Sequence, residues 1–202
     1  MRLRMMSIGL AMGAVCLMSA STVTATAQMK MNAPMKMESG ASSPAKALDQ
    51  LLSAYEHEAM GVVNTMPADK YSFAPTQTIF APGQGVRFAT VRTFVQEVTH
   101  VAEANYYFYS EVGGMKPDVD RAELENIHTK DEAVAALAKS FRFAHKAIAT
   151  ITPANAYLPI KPIDGMTTRV SLAAFGVAHG YDHYGQMVEY LRMNGLVPPG
   201  SK

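Results

Sequence analysis

The sequence predicts an all-α fold, a four-helix bundle with long irregular connections after helices 1 and 3. Four stretches of about 20 residues repeat apolar residues at helical spacing. No segment alternates β-branched and polar residues in the way that a half-buried strand does. Prolines and glycines concentrate in residues 64–88 and 153–170, between helices 1 and 2 and between helices 3 and 4.

Helix 1 is predicted over residues 44–63, because Ser43 is a suitable N-cap and Pro44 suits the first helical position. Helix 2 is predicted over residues 89–112 and is followed by a pair of glycines that ends it. The apolar stripes are Leu48, Leu51, Leu52, Tyr55, Ala59, Val62 and Val63 in helix 1, and Val91, Phe94, Val95, Val98, Ala102 and Asn105 in helix 2. A connection as long as the one between them is usually functional in a compact domain.

Helix 3 is predicted to begin at a capping box formed by Thr129 and Glu132, after a turn-rich stretch. Helix 4 is predicted to run from about Ser171 to Asn194. The stripes are Val134, Leu137, Phe141 and Ile148 in helix 3, and Leu172, Phe175, His179, His183, Gln186, Met187 and Tyr190 in helix 4. Residues 44–199 are therefore predicted to form one domain.

Residues 1–27 have the pattern of a secretory signal peptide. Arg2 and Arg4 precede an apolar run, and Ala25 and Ala27 supply small residues at a cleavage site. The run is shorter than the roughly 20 apolar residues that cross a bilayer, and no later segment qualifies. We therefore expect an exported protein, periplasmic or extracellular, with no stable membrane insertion.

Residues 28–43 are predicted to form a flexible, Met-rich leader ahead of the bundle. Its methionines offer soft thioether ligands of the kind that bind Cu(I), namely Met29, Met31, Met35 and Met37. A solvated tail with incidental methionines is the simpler interpretation.

Charge and cysteine content exclude several classes of function. The signal peptide contains two of the 18 basic residues and none of the 17 acidic ones, so the mature chain is close to neutral. It has no basic stripe for a phosphate backbone, and we expect no nucleic-acid partner.

The one cysteine, Cys16, leaves with the signal peptide. Cysteine nucleophiles and cysteine-based zinc sites are therefore excluded, and metal ligands can only be His and carboxylates.

The strongest functional signal is the pair His179 and His183 on helix 4. Residues four apart lie on the same helix face, which here is the apolar, core-facing stripe. Burying two unpaired imidazoles side by side costs free energy, and a divalent ion satisfies both. The pair therefore predicts a metal site. It is not the zinc-protease motif, because Gly180 stands where that motif has its general-base glutamate.

A third ligand has to come from another segment. His100 lies in the middle of helix 2, away from the densest part of its apolar stripe. The pattern alone fits either a surface histidine or one that faces a cleft between helices. His145, within the stripe of helix 3, is predicted to be a satisfied core histidine or a partner of a metal ligand. His57 and His128 are predicted to be surface residues.

The segments around three of these histidines resemble the DinB-like superfamily. Residues 90–105 are similar to its helix-2 pattern, in which His100 is followed by an apolar pair, an acid and a small residue. Residues 179–199 are similar to its helix-4 pattern, two histidines four apart followed by a closing Leu-Arg and proline. The resemblance extends over essentially all of residues 44–199.

This resemblance implies a four-helix bundle with an unusual connection order, often a homodimer, that holds a divalent ion through three histidines. His100 is then the ligand from helix 2, and His179 and His183 are the ligands from helix 4. The identity of the ion (Zn, Ni, Fe or Mn) stays open. Some relatives attach a low-molecular-weight thiol to an electrophile, and many have no assigned activity. An export signal departs from those cytoplasmic enzymes.

Three histidines with an open fourth position are typical of a catalytic metal. The first hypothesis is therefore a metal-dependent thiol transferase or hydrolase with small-molecule substrates, in which no catalytic residue can yet be named. The alternative is a non-catalytic, stress-related module that stores, senses or folds around a metal. Residues near the ligands in sequence are candidates to orient them or carry protons: Glu103, Tyr107, Tyr181, Asp182, Tyr184 and Gln186.

A di-iron carboxylate bundle is a third interpretation. Glu97 and His100 fit the Glu-x-x-His element of such bundles, and Glu125 and His128 repeat it in a turn-rich segment. Helix 4 contributes no inward-facing glutamate, so the sequence favours a single ion.

Overall fold

The computed structural model describes residues 43–87 and 89–201; the predicted signal peptide and nearly all of the Met-rich leader lie outside them. Four long helices are α1 (Pro44–Thr65), α2 (Phe94–Gly113), α4 (Lys130–Ala149) and α5 (Arg169–Met193). The connections contain a short helix, α3 (Arg121–Glu125), and an antiparallel hairpin of β1 (Pro159–Ile163) and β2 (Met166–Thr168). This architecture confirms the all-α prediction. Within the described ranges, no helix has the length and apolar character to span a membrane.

The packing order of the helices explains the long connections. Both α1 and α2 pack mainly against α4 and α5. The consecutive helices α1 and α2 therefore occupy opposite corners of the bundle, and so do α4 and α5. A connection between opposite corners has to cross an end of the bundle, which requires more chain than a turn between neighbours.

Side chains from α2 tie it to both of its neighbours in the core. The hydroxyl of Tyr109, fully buried, donates to the carbonyl of Ala173 in α5 (3.0 Å). The side-chain amide of Asn105 donates to the hydroxyl of Ser140 in α4 (3.0 Å). Because both bonds are buried, losing either one leaves an unsatisfied polar group in the core. They fix the position of α2 in the bundle.

The start of α2 corrects the predicted boundary at residue 89. Thr93 caps the helix: its hydroxyl accepts from the amide of Gln96, and its own amide donates to the Gln96 side chain (2.9 Å). The amide of Phe94 donates to the carbonyl of Phe73 in the preceding connection (2.8 Å). The connection thus satisfies donors that an earlier helical turn would have used. Val91 lies outside the helix and is exposed, so its predicted place in the apolar stripe was wrong.

The connection between α2 and α4 and the connection between α4 and α5 both contain regular structure that the sequence did not predict. Residues 153–170 were predicted to be irregular but contain the β1–β2 hairpin. Pro159 and Pro162 lie within β1 and hide the alternation that marks a strand. The turn is formed by Asp164 and Gly165, whose φ angles of 47° and 80° are both left-handed, as a tight two-residue hairpin turn requires. The turn-rich stretch before helix 3 likewise contains α3.

His145 is satisfied, but by carboxylates of α1. Its Nδ1 lies 2.6 Å from Asp49 Oδ1, and its Nε2 lies 3.0 Å from Glu56 Oε2. Although burial alone lowers the pKa of His145, the hydrogen bonds to the two carboxylates outweigh it and raise that pKa above its ordinary value. The protonated imidazole therefore links α4 to α1, and the predicted role as a partner of a metal ligand was wrong.

We expect this link to make stability depend on pH. Because folding raises the pKa of His145, its contribution is complete below the unfolded pKa of about 6.5 and is lost as the pH rises through the folded pKa. The three side chains are partly exposed, so the contribution is expected to be below about 1 kcal/mol. Urea unfolding of the wild type and His145→Gln should give a stability difference that shrinks as the pH rises. A difference that grows with pH would contradict the charged link.

Gly180 permits the close approach of α5 to α1. A Cβ at this position would overlap the ring of Tyr55, which is fully buried. The ring of Tyr55 also packs edge-on against Phe141 of α4 at a centroid distance of 5.4 Å, which limits its movement. The position that holds glutamate in the zinc-protease motif therefore has no room for a side chain.

Gly180→Ala is expected to destabilise the protein by about 1–3 kcal/mol, because a packed aromatic ring has to move. Gly185→Ala is the matched control. It lies in the same helix, and a Cβ there meets open space. Replacing an exposed helical glycine with alanine should stabilise by about 0.5–1 kcal/mol. Urea unfolding followed by circular dichroism measures both; equal effects at the two positions would contradict the close α1–α5 contact.

Candidate metal centre

Three histidine side chains meet where α2 packs against α5. His100 comes from the middle of α2, and His179 and His183 come from successive turns of α5. One ring nitrogen from each lies within 4.8 Å of the other two. The ring centroids are 4.6 Å apart for His100 and His183, 4.7 Å for His179 and His183, and 5.6 Å for His100 and His179. The structure thus brings the three named histidines together, while their role as ligands stays a prediction.

The structure chooses between the two interpretations of His100. Its side chain is 25% exposed and faces a cleft between helices rather than open solvent. The spacing of α5 makes the other two members of the cluster neighbours on one face. His57 and His128 are exposed, as predicted, and neither belongs to the cluster.

A buried carboxylate orients His183. Nδ1 of His183 donates to Oε2 of Glu97 in α2 (2.7 Å), and both residues are almost completely buried. Since a carboxylate only accepts, Nδ1 carries the proton and the Nε2 lone pair is left for the cluster. The Arg92 guanidinium lies 3.8 Å from the other oxygen of Glu97 and partly balances its charge.

His179 has a buried ring nitrogen, Nε2, without a hydrogen-bond partner among the described residues. The rings of Phe108 and Phe175 lie beside the imidazole, with centroid distances of 5.2 Å and 6.2 Å. Buried polar atoms are nearly always satisfied in native proteins, so an orphaned nitrogen on an imidazole that lies beside two others fits a bound cation.

The surroundings keep two of the imidazoles neutral. Burial, with the nearby Arg92 guanidinium and the two neighbouring imidazoles acting in the same direction, lowers the pKa of His100 to about 4. Burial also lowers the pKa of His179, with the charge of His183 as the next cause. Neutral imidazole is the form that binds a metal ion, so no proton has to be displaced from these two rings at pH 7.

Two clefts reach the cluster, and both are bordered by an ion pair between Arg121 of α3 and Glu103 of α2 (2.8 Å). The first, the apolar cleft, has a volume of about 560 Å³. Its walls include Ala104, Tyr106, Tyr107, Phe108, Val119 and Leu124. The second, the polar cleft, has a volume of about 800 Å³. Its walls include Thr90, Arg92, Gln96, Glu97, Thr99 and Gln186.

The candidate partners proposed from sequence are only partly at the site. Nδ1 of His100 lies 3.9 Å from Oε2 of Glu103, and Tyr107 lines the apolar cleft. Gln186 lines the polar cleft. Tyr181, by contrast, packs against Tyr55 on the α1 side of α5, at a centroid distance of 5.0 Å.

Sequence reasoning missed Glu97 as the partner of His183. Glu97 entered only as part of a di-iron element, and in the structure it contacts an imidazole of another helix. The signal was available, because a glutamate three residues before His100 lies on the same face of α2. A cross-helix partner, however, cannot be assigned before the helix packing is known.

Comparison with known families identifies the group to which this chain belongs. The family model of the DinB superfamily matches residues 51–187. This chain is a member of the DinB superfamily. The matched span includes all three clustered histidines and confirms the resemblance seen in the sequence. No curated protein matches this DinB superfamily chain.

Glu97→Gln is expected to weaken zinc binding about 10-fold, because the uncharged amide makes His183 a poorer donor of its lone pair. Glu125→Gln is the matched control, since Glu125 borders the polar cleft and bonds Arg121 without touching a histidine. Competition titration with a chromogenic zinc chelator measures both affinities. Equal zinc affinities in the two variants would contradict the orienting role of Glu97.

Proposed function

We propose that this DinB superfamily protein holds one divalent metal ion through His100, His179 and His183 and is a metal-dependent transferase that joins a low-molecular-weight thiol to an electrophilic small molecule. The observation that supports the proposal best is the buried, unpartnered Nε2 of His179, on a ring that has a nitrogen within 4.8 Å of a nitrogen of each of two more imidazoles. All three proposed ligands are imidazoles, which suits zinc, nickel or iron better than manganese, an ion that prefers oxygen ligands.

An ion held by these three histidines would supply Lewis acidity and bring the pKa of a bound thiol or water towards neutrality. The remaining contributions come from the chain itself. Glu97 holds the tautomer and orientation of His183, and Phe108 and Phe175 border His179. Burial keeps His100 and His179 neutral. The cluster is therefore arranged before any ligand arrives.

The presence of two clefts at the cluster favours a transferase over a hydrolase. A transfer reaction brings two organic molecules together, and two clefts of different character reach the histidines. A hydrolase needs one such cleft and water. The thiol has to come from a cosubstrate, because Cys16 is the only cysteine and lies in the predicted signal peptide.

We further propose that the protein acts after export, in the periplasm or outside the cell. The support is the sequence of the N-terminus, in which two arginines precede an apolar run and small residues occupy a cleavage site. The thiol would then be one that is present in that compartment.

We expect the purified protein to contain about one divalent ion per chain, measured by inorganic mass spectrometry, and the double variant His179→Ala/His183→Ala to contain none. His57→Ala/His128→Ala is the matched control, because it removes the same number of histidines from exposed positions. Circular dichroism should show helical structure in both variants. Full metal occupancy in the first variant would refute the site.

Catalysis is tested separately from metal binding. We expect the protein to accelerate the reaction of 1-chloro-2,4-dinitrobenzene with a small thiol, to lose this activity on chelation and to regain it when the ion is restored. Stoichiometric metal binding without turnover would contradict the transferase proposal and support a non-catalytic metal module instead.

A further inference from the structure

We infer that the apolar cleft binds an apolar aromatic small molecule, which lies against the histidine cluster. Its assignment as the electrophilic substrate rests on the proposed function, whereas the binding itself does not require the metal. The cleft reaches His100 and His179, so a molecule within it has one end at the cluster. Its volume of about 560 Å³ falls within the range typical of small-molecule sites.

The walls of the cleft are aromatic and are held in place by further packing. Phe108 packs edge-on against Phe175 at a centroid distance of 5.4 Å, as well as against His179. Tyr106 packs against Phe143 of α4 at 4.9 Å. Aromatic side chains fixed in this way offer flat faces and edges to another ring without further ordering, which favours an aromatic ligand.

Tyr107 is an exposed aromatic residue at the same cleft. It is 59% exposed, although its ring lies 5.3 Å from that of Phe108 and extends the aromatic wall. A large aromatic side chain beside a concave apolar surface is typical of a binding site rather than of ordinary surface. The exposed part of the Tyr107 ring is therefore accessible to a ligand in the cleft.

The guanidinium at the rim of the apolar cleft is already paired with carboxylates. Nε of Arg121 lies 2.8 Å from Glu103 and 2.9 Å from Glu125, so its charge is balanced by two carboxylates. Asp164, in the hairpin turn, adds a further carboxylate at the cleft. The only guanidinium among the lining residues is thus already paired, and the nearby carboxylates disfavour an anionic ligand. We therefore expect recognition to depend on the apolar surface of the ligand.

The test uses N-phenyl-1-naphthylamine, an uncharged aromatic probe whose fluorescence rises in apolar surroundings, titrated into the full-length protein. We expect saturable binding that weakens at least fivefold in Tyr107→Ala. Tyr157→Ala is the matched control: Tyr157 is 73% exposed and lies outside the cleft. Its affinity should stay within twofold of the wild type. Equal affinity in both variants would overturn the assignment of the cleft.

A second pair of variants adds a side chain to a cleft instead of removing one. Ala104→Phe places a ring inside the apolar cleft and should abolish probe binding, whereas Thr90→Phe adds the same ring to the polar cleft and should leave it unchanged. Thermal melting identifies any variant that fails to fold, in which case the Tyr107 pair decides. Unchanged probe binding in a folded Ala104→Phe variant would overturn the inference.

Metal content measured on the same samples separates this inference from the proposed function. Probe binding should persist in chelated protein, because the aromatic walls do not depend on the ion. If the protein contains about one ion per chain but does not bind the probe, the assignment of the cleft is wrong and the metal proposal stands. If the protein binds the probe normally but never holds an ion, the metal proposal is wrong and the assignment of the cleft stands.

Discussion

The buried contact between α2 and α5 is the constraint on which the rest of the structure depends. It holds a carboxylate and three imidazoles, of which Glu97 and His183 are almost completely buried, so these polar groups have to be satisfied together. Glu97 and His183 satisfy one another, but Nε2 of His179 has no partner in the described chain. A divalent ion would complete the set, so the hydrogen-bonding requirements of the interface support the metal proposal alongside the histidine pattern.

The order of the helices connects this interface to the clefts. Because α1 and α2 lie at opposite corners, as do α4 and α5, long connections cross the ends of the bundle. The connections contribute to the site: α3 supplies Arg121 and Leu124, and the hairpin turn supplies Asp164. The helices position the histidines, and the connections shape the spaces that substrates would enter. Differences in such connections can change the ligand without changing the cluster.

The sequence predicted what depends on local pattern. Helical spacing and caps located all four long helices, and the four-residue spacing placed His179 and His183 on one face. It did not predict what depends on packing. The orientation of His100 was undecided until the family resemblance was considered, and Glu97 was not assigned to His183, because both follow from how α2 meets α5. The β1–β2 hairpin was missed because prolines interrupt its first strand, and the start of α2 because loop carbonyls replace a helical turn.

X-ray absorption spectroscopy at the metal edge of the zinc-loaded protein tests the central claim most directly, because it reports the ligands of the ion itself. We expect three imidazole nitrogens at about 2.0–2.1 Å, with the outer-shell scattering of three rings, and at least one further ligand in the open position. A spectrum with one imidazole or none, dominated by oxygen ligands, would show that the ion binds elsewhere.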